Sequence, residues 1–227
     1  MRQGVVAMRF TKIIAIAVGL AAMVLAIAVL TCIVLKQPHS AEAYLNRGLA
    51  YYYRGEYDRA VADFDKAIAL KPDYARAYND RACAYGDKGD CDRAVADLDR
   101  VVALKPDDAQ AYYSRGLACS DTHDYDRAIA DFDKAIALKP DFAEAYDHRG
   151  LAYGGGKRDY DRAIADCDKA LTLKPEFAGA YYDRALAWYC KKDYDKAWAD
   201  VKRCREHGGT PDPIFVKALR KASGRGE

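Results

Sequence analysis

The chain has 227 residues, 51% apolar, 31% charged and 11% aromatic, which excludes a low-complexity chain or a disulfide-stapled miniprotein. Its formal charge of +2 is unevenly placed. Met1 to Leu35 holds Arg2, Arg9 and Lys12 and no acid, so the 192 residues beyond carry 33 basic against 34 acidic groups and lack the basic footprint of a nucleic-acid binder.

Residues 1–12 form a basic N-terminal tail. Ile13 to Leu35 is a run of 23 residues without a charge. At about 1.5 Å per residue it is long enough to span a bilayer core of about 30 Å, which predicts an uncleaved single-pass signal anchor. A cleaved secretory signal is a second option, but its apolar core usually runs only about 7–15 residues. Val29-Leu30-Thr31-Cys32 approaches a lipoprotein cleavage box, which Thr31 and the continuing Ile33-Val34-Leu35 disfavour. Arg2, Arg9 and Lys12 on one side, against Lys36 and Arg47 on the other, predict a cytoplasmic N-terminus and an exported body, periplasmic or extracellular. Six cysteines beyond the segment pull against that orientation.

A linker, 36–40, leads into a sequence that repeats itself in units 41–74, 75–108, 109–142, 143–177 and 178–211, the fourth one residue longer within Gly154 to Arg158. The fourth position is always Tyr (Tyr44, Tyr78, Tyr112, Tyr146, Tyr181) and the eighth always small (Gly48, Ala82, Gly116, Gly150, Ala185). Apolar residues recur at helical spacing on both sides of a polar turn such as Arg54-Gly55-Glu56, which predicts two antiparallel helices per unit. Tyr44 then faces Ala67, Gly48 faces Phe64 and Tyr51 faces Ala60, large against small. Pro72, Pro106, Pro140 and Pro175 close the units, and the acid after each (Asp73, Asp107, Asp141, Glu176) is expected to start the next helix. No unit buries its outer face alone, so the units must stack.

These slots closely resemble the tetratricopeptide repeat, a helix–turn–helix unit of the same length. The resemblance covers all five units, and the fifth departs only at its end, in Arg205 to Gly209. It implies an all-α fold, a right-handed helical-hairpin solenoid of five repeats. Asp212 and Pro213 fit the N-cap and first position of a capping helix, 212–223, before a tail at 224–227. Ile214, Phe215, Ala218, Leu219 and Ala222 are its expected apolar stripe.

Arginine recurs at the seventh position and aspartate at the twenty-third, at matching heights across each hairpin. Structural ion pairs are expected for Arg47–Asp63, Arg81–Asp97, Arg115–Asp131, Arg149–Asp166 and Arg184–Asp200, because a partly buried Arg needs a carboxylate. The competing reading is a row of five arginines for an anionic ligand. Cys91, Cys119, Cys167 and Cys204 stand where other units carry Tyr, Tyr, Phe and Ala, as small apolar fillers. There is no Cys-x-x-Cys, and no nucleophile at motif spacing from His39, His123, His148 or His207. Gly154-Gly155-Gly156-Lys157 lacks the Ser or Thr of a phosphate loop and reads as a longer hairpin turn. No enzyme, metal or cofactor is expected.

The resemblance places function on the concave face, at the second, fifth, ninth, twelfth and thirteenth positions of each first helix. Leu45 and Asp147 occupy such positions, and the residues expected to touch a partner are Tyr52, Tyr53, Arg76, Asn79, Tyr113, Tyr182 and Tyr189. Chaperone-tail binders of this family clamp a carboxylate where this chain has Leu45, Leu49, Asp80, Gln110 and Ser114, so chaperone C-terminal tails are not expected partners. The expected function is a membrane-tethered scaffold for protein or peptide segments, which are membrane-associated themselves because the linker is short. A self-assembling structural solenoid and an exported lipoprotein adaptor are the alternatives.

Overall fold

Helices begin where the sequence supplies an acceptor for their first free N–H groups. Asp90, Asp124, Asp159 and Asp193, at the turn of each later hairpin, accept from the backbone N–H three residues on. The acids after the prolines do not take this role. The N-caps of the following helices are Tyr74, Asp108, Phe142 and Phe177, one residue further along, and of these only Asp108 caps through its side chain.

The computed structural model describes residues 40–225, and within them it contains eleven α-helices and no strand. Five hairpins follow one another: α1 (Ala41–Tyr52) with α2 (Tyr57–Leu70), α3 (Ala75–Asp87) with α4 (Cys91–Leu104), α5 (Ala109–Asp121) with α6 (Tyr125–Leu138), α7 (Ala143–Leu151) with α8 (Tyr160–Leu173), and α9 (Ala178–Cys190) with α10 (Tyr194–Glu206). Helix α11 (Pro213–Ser223) closes the stack. The expected anchor, 13–35, lies outside the described residues, and no described helix is long and apolar enough to cross a membrane.

The same turn position is left-handed in every hairpin: Gly55, Gly89, His123, Arg158 and Lys192 have φ of 75°, 78°, 63°, 54° and 63°. Behind the turns, size complementarity sets how closely the helices approach. A Cβ on Gly48 would lie 2.6 Å from the Phe64 ring, and one on Gly116 2.7 Å from Phe132. Where the facing residue is the smaller Leu98 or Val201, the close-approach position is Ala82 or Ala185, and all four are buried. Hairpin four departs from this, because Gly150 faces no ring or branched side chain: an added Cβ would stand 3.1 Å from Ala163 O, 3.3 Å from Asp166 Cβ and 3.5 Å from Cys167 Sγ. Its extra residue does not lengthen the loop as expected. It is absorbed in a π-helical turn, Ala152–Gly156, that continues α7.

An ion ladder ties the hairpins together. Within hairpin three, Arg115 Nε and Nη2 donate to Asp131 Oδ2 and Oδ1 at 2.8 and 2.6 Å. Its Nη1 donates at 2.9 Å to Asp99 of the preceding hairpin. Arg81, Arg149 and Arg184 bridge in the same way to Asp65, Asp133 and Asp168 at 2.5 Å while gripping Asp97, Asp166 and Asp200. Arg47 grips Asp63 at 2.6 and 2.7 Å. Each guanidinium also lies 5.4–5.7 Å from the ring of the invariant Tyr one turn earlier. The carboxylates beside Arg81, Arg115, Arg149 and Arg184 raise their already high pKa further, with the in-hairpin aspartate contributing most. These four arginines are thus committed to structure, which removes the basis for an anion-binding row. In hairpin five the bridging aspartate is replaced by Lys202, so the ladder ends there.

Helix α11 starts at Asp212, which accepts from Ile214 N at 2.8 Å. Its buried face is Phe215, Val216 and Leu219, rotated from the expected stripe: Ile214 is 78% exposed and Ala222 faces solvent. Ser223 Oγ accepts from Trp198 Nε1 at 3.0 Å, fixing the far end of the cap.

Candidate binding groove

The first helices of successive hairpins present the residues expected to meet a partner, and they separate into three groups. Tyr52, Tyr53, Arg76 and Asn79 form an accessible group. Tyr53 is 81% exposed and meets Tyr52 edge-on at 5.5 Å. The hydrogen bond from Tyr52 to Asp87 pushes the Tyr52 phenol above its ordinary value. Tyr52, Asn79, Asp87, Ser114, Leu117 and Asp121 contribute to the wall of a cavity of about 390 Å³ spanning α1, α3 and α5. Arg76 and Asn79 open onto a second hollow with Gln110. On the same helix, burial raises the Asp80 carboxyl, and its Oδ2 has no hydrogen-bond partner, with Arg76 Nε 3.6 Å away.

Tyr113 is different. It packs between hairpins three and four, 4.8 Å from Phe142 and 5.9 Å from Phe132, with its hydroxyl 3.3 Å from His148 Nδ1. Burial, and then the charges of Glu144 and Asp147, push its phenol up to about 12. It is a half-buried packing residue.

Tyr182 and Tyr189 meet the cap. Both lie edge-on to Phe215 at 5.6 Å, so α11 covers the C-terminal part of the face expected to receive a partner. The fifth position of the repeat is also less open than expected, since Leu45 and Asp147 are 0% and 3% exposed. Leu45 shares a core with Ala77 and Ala84 of the next hairpin, and Asp147 meets Cys167 of its own hairpin.

Cys119, Cys167 and Cys204 are buried, whereas Cys83 and Cys190 are exposed; all six described cysteines are free thiols. Among the described residues no three or more His, Cys, Asp and Glu side chains are arranged to hold a metal ion. Two features escaped the sequence reading. One is the second aspartate on each ladder arginine, although the recurrence of Asp65, Asp99, Asp133 and Asp168 two residues after the paired aspartate was a usable signal. The other is a cavity of about 290 Å³ between hairpins four and five.

Two family models, both described as tetratricopeptide repeat, match this chain: one over residues 79–143 and 155–203, the other over 41–74. No curated protein matches it. Among solved structures the chain is similar to MamA, at 29% identity and a TM-score of 0.64 over 75% of this chain and 96% of that one. It is also similar to YrrB, described as a TPR protein with an unusual peptide-binding site, at 20% identity and a TM-score of 0.64 over 84% and 97%. A third is PilF of Pseudomonas aeruginosa, at 20% identity and a TM-score of 0.69 over 81% and 84%. At 20% identity the last two likenesses show the fold alone. The matched repeats, the five hairpins and the shared fold make the chain a member of the tetratricopeptide-repeat family.

Proposed function

We propose that this chain is a membrane-tethered interaction scaffold that binds partner segments in the groove formed by its first helices. One observation carries the reading. The positions that hold the hairpins together repeat almost without change, while those lining the cavity at Tyr52, Asn79, Asp87 and Ser114 differ from hairpin to hairpin. Constant packing with a varied lining is what a specific groove requires. The interaction centres on hairpins one to three, since α11 lies over Tyr182 and Tyr189. Lys202, standing where a further hairpin would need a carboxylate, argues against end-to-end stacking of copies through the C-terminal end.

Residues 13–35 are the tether, supported by their uncharged length, and the basic residues before them favour an exported repeat body. A partner close to the membrane meets the groove at raised effective concentration. Carbonate extraction and the N-terminal mass test the tether; a mature chain starting near Gln37, or lipid on Cys32, overturns it. For the groove, a photo-crosslinking residue is placed at Asn79 of the full chain in native membranes, with the exposed Arg100 of α4 as control. Discrete adducts are expected at Asn79 only, and Tyr53→Ala should weaken them by about 1–3 kcal/mol if that ring is a hot spot. Equal adducts at both sites refute the groove.

A further inference from the structure

Six aspartates are buried among the described residues: Asp63, Asp97, Asp131, Asp147, Asp166 and Asp200. Five of them are gripped by an arginine of their own hairpin. Asp147, at 3% exposure, is not; its hydrogen-bond partner is the Cys167 thiol, at 3.9 Å. A second carboxylate, Asp183 of α9, stands close enough for its charge to act on Asp147, and no described cation pairs with either. Keeping two carboxylates partly desolvated without a cation is costly, because one weak thiol contact replaces little of the water that burial removes.

The space beside them is built into hairpin four. Where other hairpins set Phe on Gly, or Leu or Val on Ala, this one sets Cys167 against Gly150. The π-helical turn then brings Gly154 and Gly155, which have no side chains, to the rim. The resulting cavity of about 290 Å³ has Asp183, Cys167 and Cys190 in its wall, with Leu151 and Leu186 as apolar lining. That is near the lower limit of small-ligand sites, about 300 Å³, and suits one long side chain. Arg158 also lines the cavity; it is exposed, its charge acts on Tyr160, and it makes no ion pair with Asp183.

We propose that this cavity is a subsite for a basic side chain: the guanidinium or ammonium head of a partner's Arg or Lys enters beside Cys190 and is held by Asp183, with Asp147 behind it. Charge complementarity selects that occupant, and the aliphatic stem of Arg or Lys matches Leu151 and Leu186. Burial raises both carboxyls, as expected where the cation is not yet in place. The subsite extends the groove reading, centred on hairpins one to three, to the adjoining hairpins four and five, and rests on it.

The test uses Cys190, an exposed thiol of the cavity wall, as reporter, and Cys83, which lines the separate α1–α3–α5 cavity, as internal control. The full chain is alkylated with maleimide in the presence of the pentapeptide Gly-Gly-Arg-Gly-Gly, and the modified cysteines are read by mass spectrometry. At about ten times its dissociation constant the peptide should slow Cys190 about tenfold by mass action and leave Cys83 unchanged. The citrulline analogue, equal in shape and neutral, should protect at least about tenfold more weakly. Asp183→Asn should abolish the difference between the two peptides. Gly155→Met, at a position where an added Cβ meets nothing within 4 Å, should block protection while keeping both carboxylates. Equal protection by arginine and citrulline, protection of neither, or arginine selectivity retained in Asp183→Asn overturns the proposal. Crosslinking at Asn79 that persists in Asp183→Asn confines such a failure to this subsite, whereas loss of Asn79-specific adducts in the wild-type chain is a failure of the groove itself.

Discussion

Removing one arginine from the middle of the ladder should separate the work of its three contacts. Arg115→Ala strands Asp131, which is 3% exposed, and breaking a buried pair in this way costs about 3–5 kcal/mol. The bridge to Asp99 adds little, about 0–1 kcal/mol, because that carboxylate is 43% exposed and shared with Arg127. Loss of the contact with the Tyr112 ring adds about 0.5–1 kcal/mol. The double change Arg115→Leu with Asp131→Leu removes both charges together and should fall within about 2 kcal/mol of wild type, since apolar replacement of a whole buried pair is often neutral. Urea unfolding followed by circular dichroism gives both values. Because hairpins contact only their neighbours, Arg115→Ala should also split the transition, with hairpins one and two parting from the rest. If the single and double variants lose the same stability, the stranded-charge argument is wrong and Arg115 acts mainly through its ring contact and its bridge.

The hairpins were legible in the sequence because their determinants are local and repeated. Helical spacing, a small eighth residue and a proline at the first four exits recur often enough to fix the two-helix unit. The pairing of Arg47 with Asp63 follows from equal height across one turn. What lies between hairpins was harder to read, because the helix–helix offset between units is set by packing and not by spacing along one chain segment. The bridge from Arg115 to Asp99 and the burial of Leu45 and Asp147 both belong to that interface. The cap shows the same limit: its N-cap at Asp212 is a local signal, whereas the rotation that buries Val216 and exposes Ile214 depends on how α11 meets α9 and α10. The cavity in hairpin four was hidden for a further reason. Cys167 reads as one more small apolar filler, and only the packing of hairpins four and five shows that it and Gly150 line a hollow together with Asp183.

Glycines should respond oppositely according to what faces them. Gly116→Ala drives a Cβ to 2.7 Å from Phe132 and should destabilise by about 1–3 kcal/mol in urea unfolding, whereas Gly86→Ala, with nothing within 4 Å, should gain about 0.5–1 kcal/mol. Cys83 and Cys190 are exposed, so a membrane-impermeant maleimide should label both on intact cells if the body is exported; labelling only after lysis reverses the orientation. The pair Asp147 and Asp183 should give the fold an unusual pH dependence. Both hold their protons to higher pH in the folded chain than the ordinary carboxylate value near 4, chiefly through burial, with the Asp183 charge adding to Asp147. The folded state therefore binds more protons than the unfolded one above that value, and the contribution, intact in acid, is lost as pH rises toward the raised folded values. Asp147→Asn removes a titrating group and should flatten the fall in thermal midpoint between about pH 5 and about pH 8. Parallel curves for variant and wild type would mean that Asp147 is solvated or paired after all, and the unmatched charge behind Asp183 would vanish with it.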